Sequence, residues 1–248
     1  MCARSAIRSV RQVTYDTTLL DFGMSTKTPL SIVVTKDIAV SGLATVPRAA
    51  GCCFVFAHGA GAGMNHPYIA AACDGLAARG VATVRYQFPY MENGSKRPDS
   101  PKLCHQTVRS AVAAAHELLP TLPLFAGGKS FGGRMTSQAQ ALAPLSHVRG
   151  LCFFGFPLHA PKQPTSIRAE HLSSIKIPML FLQGTRDALA DMTLLAQTIN
   201  TLGARATLAE VSGADHSFHV PARSGRTDTR ILEDMLDTLS VWITTSTS

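Results

Sequence analysis

From about residue 31 to residue 211 the chain repeats one device: a short apolar run closed by Gly, Pro or Asp, then a longer segment with helical spacing. An apolar run of four to seven residues is too short for a buried helix and lacks the alternation of a half-exposed strand, so it reads as a strand buried on both faces. Parallel neighbours of such strands need crossovers of a dozen or more residues, which the intervening segments supply. The pattern predicts a mainly parallel sheet with helices on both faces. Strands are expected near 31–35, 38–45, 52–57, 81–86, 123–126, 149–154, 178–182 and 206–211, and helices near 67–79, 103–118, 131–142, 190–202 and 227–243. The first two strands are close enough in sequence to form an antiparallel edge hairpin. The proline-rich segment 157–174 is too short for a large cap domain and is expected to be a loop or small lid.

A chain of 248 residues with 46% hydrophobic and 16% charged residues fits one globular domain, expected over 24–248. Residues 1–23 carry Arg4, Arg8 and Arg11, lack an uninterrupted apolar core and precede Met24. This uncertain N-terminal extension fits a misassigned start, a disordered arm or an organelle-targeting peptide. No apolar run reaches the roughly 18 residues that span a bilayer, so no membrane partner is expected. The net charge of +7 comes from 23 Lys and Arg scattered without a basic tract, which argues against nucleic acid. The six cysteines (Cys2, Cys52, Cys53, Cys73, Cys104, Cys152) show no C-x-x-C spacing, and a reducing, cytoplasmic setting is expected.

The stretch Ala126-Gly127-Gly128-Lys129-Ser130-Phe131-Gly132-Gly133 makes two chemical proposals at once. A phosphate-binding loop would need glycine five residues before Gly128, where the chain has Pro123, which lacks an N–H and the required backbone freedom. A nucleophile elbow needs small residues two before and two after a serine on a strained strand-to-helix turn, and Gly128 and Gly132 supply them. Ser130 is therefore the candidate nucleophile; Lys129 beside it would suit an acidic substrate, but at the variable elbow position it is expected to face solvent.

The run His58-Gly59-Ala60-Gly61-Ala62-Gly63-Met64 also follows a strand, but a dinucleotide fingerprint would need glycine where Met64 stands. It suits an oxyanion loop, with the N–H groups of Ala60 and Phe131 as donors. A serine nucleophile needs a base and an orienting acid. His216 after the last strand is the expected base. His219 competes, and the two also have the spacing of an H-x-x-H metal pair, though no third ligand stands at a sensible spacing. Asp187 after strand 178–182 is the expected acid; Asp191 suits a helix cap, and Asp215 adjoins the histidine too closely to face it. Tyr90, Met91 and His159 are candidate pocket residues, alongside Tyr86, Phe88, Phe156 and Pro157, most of which also suit core packing.

The motifs HGAGAGMNHP, RYQFPYME, AGGKSFGG, GFPLH, LQGTRD and GADHSFHVP, from about 58 to 221, resemble those of small bacterial α/β-hydrolase-fold proteins. These are related to dienelactone hydrolases and to the hydrolase-like domain of a histone-acetyltransferase complex subunit. The resemblance implies an α/β-hydrolase fold without a large cap and a carboxylic ester hydrolase of the serine esterase type. Its substrate would be a small-molecule ester or thioester, and the chemistry requires no metal or organic cofactor. Dienelactone hydrolases use a cysteine where this chain has Ser130, so their substrate does not carry over. The chromatin-complex relatives leave a noncatalytic interaction module as the alternative.

Overall fold

The computed structural model describes residues 25–247, and the uncertain extension 1–23 lies outside the described residues. Eight strands form one sheet: β1 (Ser25–Thr35), β2 (Ile38–Pro47), β3 (Cys52–Ala57), β4 (Val81–Tyr86), β5 (Leu124–Lys129), β6 (Val148–Phe154), β7 (Met179–Gly184) and β8 (Ala206–Val211). Their spatial order is β1-β2-β4-β3-β5-β6-β7-β8. β1 and β2 form the expected hairpin and β2 pairs antiparallel with β4, while every pairing from β4 to β8 is parallel.

The helices are α1 (Pro67–Ala77), α2 (Pro89–Glu92), α3 (Pro101–Leu118), α4 (Phe131–Leu142), α5 (Met192–Leu202) and α6 (Asp228–Thr247). Three of them, α1, α2 and α3, open with proline, whose missing N–H costs nothing in a first turn. Successive strand residues point to opposite faces, so Cys53, Val55 and Ala57 of β3 pack under α3 and α4, whereas Cys52, Phe54 and Phe56 pack under α1 and α6. Among the described residues no helix is long and apolar enough to cross a membrane.

Two local expectations are corrected. β1 begins at Ser25, six residues before the predicted start, because its first half is exposed on both faces and carries no alternation to read. The four-residue α2 was absent from the prediction. The predicted lid is a loop closed by one bridge, Ala160 to Gln163, and a 3-10 helix over Ile167–Ser174, with no cap domain.

The topology fixes where a site can form. β4 lies on one side of β3 and β5 on the other, so the chain leaves β3 and β5 in diverging directions and opens a crevice at their carboxyl ends. The two glycine-rich segments begin there.

Candidate active site

Ser130 sits between β5 and α4 at φ 50°, ψ −113°, a backbone region that costs a non-glycine residue on the order of 1–3 kcal/mol. Its N–H donates to Phe154 O at 3.1 Å and its carbonyl accepts the first helical bond from Arg134 at 3.1 Å. The flanking glycines are sterically required. A Cβ on Gly128 would stand 2.3 Å from Ala57 O, and one on Gly132 would stand 2.5 Å from both Ala57 O and His58 O. The elbow is pressed against the end of β3, which is the close approach that the sequence spacing implied.

Three predicted side chains meet here. His216 Nε2 lies 2.8 Å from Ser130 Oγ, and His216 Nδ1 lies 2.7 Å from Asp187 Oδ2. A carboxylate only accepts, so Nδ1 carries the proton and Nε2 is left to accept from the serine hydroxyl. The Asp187 side chain is fully buried. Its Oδ2 also accepts from Gln183 Nε2 at 2.6 Å, and its Oδ1 accepts from Leu189 N at 2.7 Å. Gln183 in turn accepts from Phe156 N at 2.8 Å, tying the loop after β6 to the acid.

The competing residues are occupied elsewhere. Asp191 caps α5 by accepting from Leu194 N at 3.0 Å. Asp215 accepts from Ser217 N at 2.8 Å and His219 N at 3.0 Å, so it shapes the turn that carries His216. His219 pairs with Asp228 on the surface at 2.8 Å.

Ala60 follows β3 and Phe131 opens α4, and neither N–H finds a hydrogen-bond acceptor among the described residues. The loop that carries Ala60 is pinned by two side chains given no role from the sequence. Buried His58 donates from Nδ1 to Gly59 O at 2.8 Å and accepts at Nε2 from Phe88 N at 3.1 Å. Burial pushes its imidazole down to about 4, so it stays neutral and can accept. Gln87 accepts from Met64 N at 2.7 Å. The sequence signal was a polar residue at the end of an apolar strand, which Gln183 shares.

Of the predicted pocket residues, Tyr90 stands edge-on to Phe131 with centroids 6.3 Å apart. The Met91 methyl reaches within 3.4 Å of where a Gly63 Cβ would be. His159 is a correction: it is buried, and both ring nitrogens are spent, on Ala160 O and Asp191 N at 2.8 Å each, so it pins the lid and offers a ligand no free nitrogen. Tyr86, Phe88 and Phe156 are fully buried core residues.

Lys129 is the second correction. Its ammonium turns inward, donates to His216 O and lies 4.8 Å from the centre of the Phe218 ring. A Cβ on Gly155 would stand 3.1 Å from Lys129 Nζ and 3.6 Å from both Asp187 Oδ2 and His216 Cε1, which marks where the three side chains converge. Burial pulls the Lys129 amine down to about 8, and the negative charges of Asp187 and Asp215 restore only part of the loss. The folded state therefore bears a cost, on the order of 3 kcal/mol, for keeping this ammonium charged below pH 8. Lys129→Met is expected to melt higher than wild type at pH 7, by about 2–4 °C for each kcal/mol relieved. Any reaction that depends on His216 should slow by roughly tenfold to a hundredfold as its loop loses its tether. Wild type sheds this proton on folding between about pH 8 and 10.5 and so gains stability there relative to the variant. Melting curves across that range should show the gap closing; a variant less stable at pH 7 would refute the account.

The strand order, the elbow and the serine, acid, histidine sequence at the strand ends define the α/β-hydrolase class. The model of the alpha/beta hydrolase domain family matches residues 50–244, and the chain belongs to that family. Among solved structures it is similar to dienelactone hydrolase from Anabaena variabilis, with 19% identity, a TM-score of 0.70 and coverage of 89% of this chain and 97% of that one. It is also similar to a serine hydrolase without a lid from Xanthomonas campestris, at 19% identity and TM-score 0.66, covering 86% and 91%. The esterase domain of a Rhodothermus marinus protein gives 13% identity and TM-score 0.66, covering 88% and 97%. At these identities the likeness is one of fold.

Proposed function

We propose that this protein is a serine hydrolase that cleaves a small carboxylic ester or thioester through an acyl-enzyme, with Ser130, His216 and Asp187 as the catalytic triad. Ser130 Oγ attacks the carbonyl carbon as its proton passes to His216 Nε2. The tetrahedral oxyanion is stabilised by the N–H groups of Ala60 and Phe131, each worth about 3 kcal/mol in the transition state. The leaving alcohol or thiol departs with the proton from His216. Water then attacks the acyl-enzyme, giving its proton to His216, and the acid is released as Ser130 regains its hydrogen. Asp187 holds the imidazole in the tautomer that presents Nε2 to the serine throughout.

The observation that carries this reading is the pair of bonds on one imidazole, 2.8 Å to Ser130 and 2.7 Å to Asp187, made by side chains from the ends of three different strands. An interaction module has no need for these three groups to meet. Tyr90 and Met91 supply apolar wall beside the oxyanion loop. The described cysteines are all buried free thiols, which supports a reducing compartment such as the cytoplasm.

The test is covalent capture. Treated with a fluorophosphonate at neutral pH, the protein is expected to take up one equivalent, with the adduct mapping to Ser130, because a serine activated by histidine attacks probes that other serines ignore. An adduct elsewhere, or none, would overturn the assignment.

A further inference from the structure

Thr83 and Arg85 of β4 pair with Phe54 and Phe56 of β3, so both stand on the sheet face that packs under α1. Thr45 of β2 is directly opposite Thr83 in the antiparallel pairing, where partners share a face with Cβ atoms about 4.5–5.5 Å apart. α1 brings Cys73 down onto the same spot. Burial pushes its thiol up to about 11, while the Thr83 hydroxyl and the Arg85 guanidinium, which it faces, pull the other way.

The guanidinium is out of keeping with its surroundings. Arg85 is only 7% exposed, and its Nε and Nη1 are enclosed without a hydrogen-bond partner among the described residues. The buried hydroxyls of Thr45 and Thr83 are unpartnered in the same way. A buried arginine is ordinarily matched by a carboxylate, as the partly buried Arg79 is by Glu233 and Asp237. Here the carboxylate at the rim is already taken. Asp74, the residue after Cys73, pairs at 2.7 Å with Lys27, which is itself the β1 partner of Thr45. The cluster is left with one uncompensated positive charge and several hydrogens to donate. A water molecule would accept the hydrogens and leave the charge; an anion answers both.

We propose that Arg85, Thr83 and Thr45 form a binding site for a small inorganic anion of chloride size, which ties β2, β4 and α1 together. The donors come from two strands instead of one planar fork, and Cys73 fills part of the space beneath the helix. That arrangement suits a spherical ion better than a carboxylate or a phosphate. The site is independent of the hydrolase reading above, and its test needs no turnover.

The experiment compares the melting temperature of the full chain in about 200 mM sodium chloride and in sodium gluconate of equal ionic strength. Wild type is expected to melt about 3–6 °C higher in chloride, because an ion that binds only the folded chain stabilises it by mass action. Arg85→Met should abolish that difference, whatever its own melting temperature. Thr83→Val should raise the chloride concentration that gives half the effect by about tenfold, the loss of one hydrogen bond to a charged ligand. Lys36→Met, in the exposed turn between β1 and β2, should leave the difference intact, which separates a seated ion from screening of surface charge. Crystals grown in sodium bromide should show an anomalous peak in contact with the Arg85 guanidinium. If Arg85→Met does not fold, Thr83→Val and the bromide peak still decide the matter. Equal melting temperatures in the two salts, a chloride effect undiminished in Arg85→Met, or a water at Arg85 with no anomalous signal would overturn the proposal. A bromide peak without a chloride effect would mark an adventitious ion only and would overturn it too.

Discussion

Ser130→Ala is expected to reduce ester hydrolysis to background while leaving the melting temperature within a few degrees of wild type. Removing the nucleophile of a serine hydrolase of this type costs on the order of a millionfold in kcat, because the acyl-enzyme route closes entirely. The fold has little reason to respond, since the hydroxyl bonds only to His216 Nε2. Relief of the φ 50° strain will be slight, because alanine tolerates that backbone no better than serine. The measurement is a paired one, initial rates on p-nitrophenyl esters and a melting curve on the same preparation. A variant that folds and retains even a hundredth of wild-type activity would show that the reaction does not pass through Ser130.

Asp187→Asn is expected to lower kcat by about ten-thousandfold, the loss known when an orienting acid becomes an amide. The amide can donate to the imidazole, which favours the tautomer with the proton on Nε2 and leaves no acceptor for the serine hydrogen. The surroundings sharpen the effect here. Asp187 Oδ2 accepts from both Gln183 and His216, and Oδ1 accepts from Leu189 N. An asparagine NH2 turned toward Oδ2's place would confront the Gln183 donor, and one turned toward Oδ1's place would confront the Leu189 N–H. Either orientation strands a buried donor, so destabilisation of roughly 1–3 kcal/mol should accompany the kinetic loss. By contrast Asp191→Asn should keep most activity, since asparagine caps a helix nearly as well as aspartate. If Asp191→Asn were the variant that lost activity, the acid would be misassigned.

Much of the fold was legible because its signals are local. Buried parallel strands are short and continuously apolar, and the elbow's need for glycine at 128 and 132 is a steric demand written directly in the chain. The serine, acid and histidine could be placed because each follows a strand, and strand ends share one edge of a parallel sheet. What escaped has a common cause. The first half of β1 is exposed on both faces, so its only signal is pairing with β2, a long-range fact. Lys129 looked like a solvent-facing neighbour of the serine, yet its direction is set by Gly155 and the His216 loop, more than 20 and 80 residues away in sequence. His58, Gln87, Gln183 and His159 all act by bonding to backbone groups of distant segments, and such bonds leave no period or spacing to read.

The three proposed catalytic side chains are delivered by β5, β7 and the loop after β8, and β8 is the outermost strand on its side of the sheet. During synthesis the serine would emerge long before the histidine, and the carboxylate would await a base from a strand still to be added. No partial sheet contains a working set, so a chain caught short of its last strand carries no hydrolytic activity to misdirect. Turnover in this protein would thus report completion of the sheet out to its final edge, making the appearance of activity during refolding a direct clock for docking of β8 and the segment that follows it.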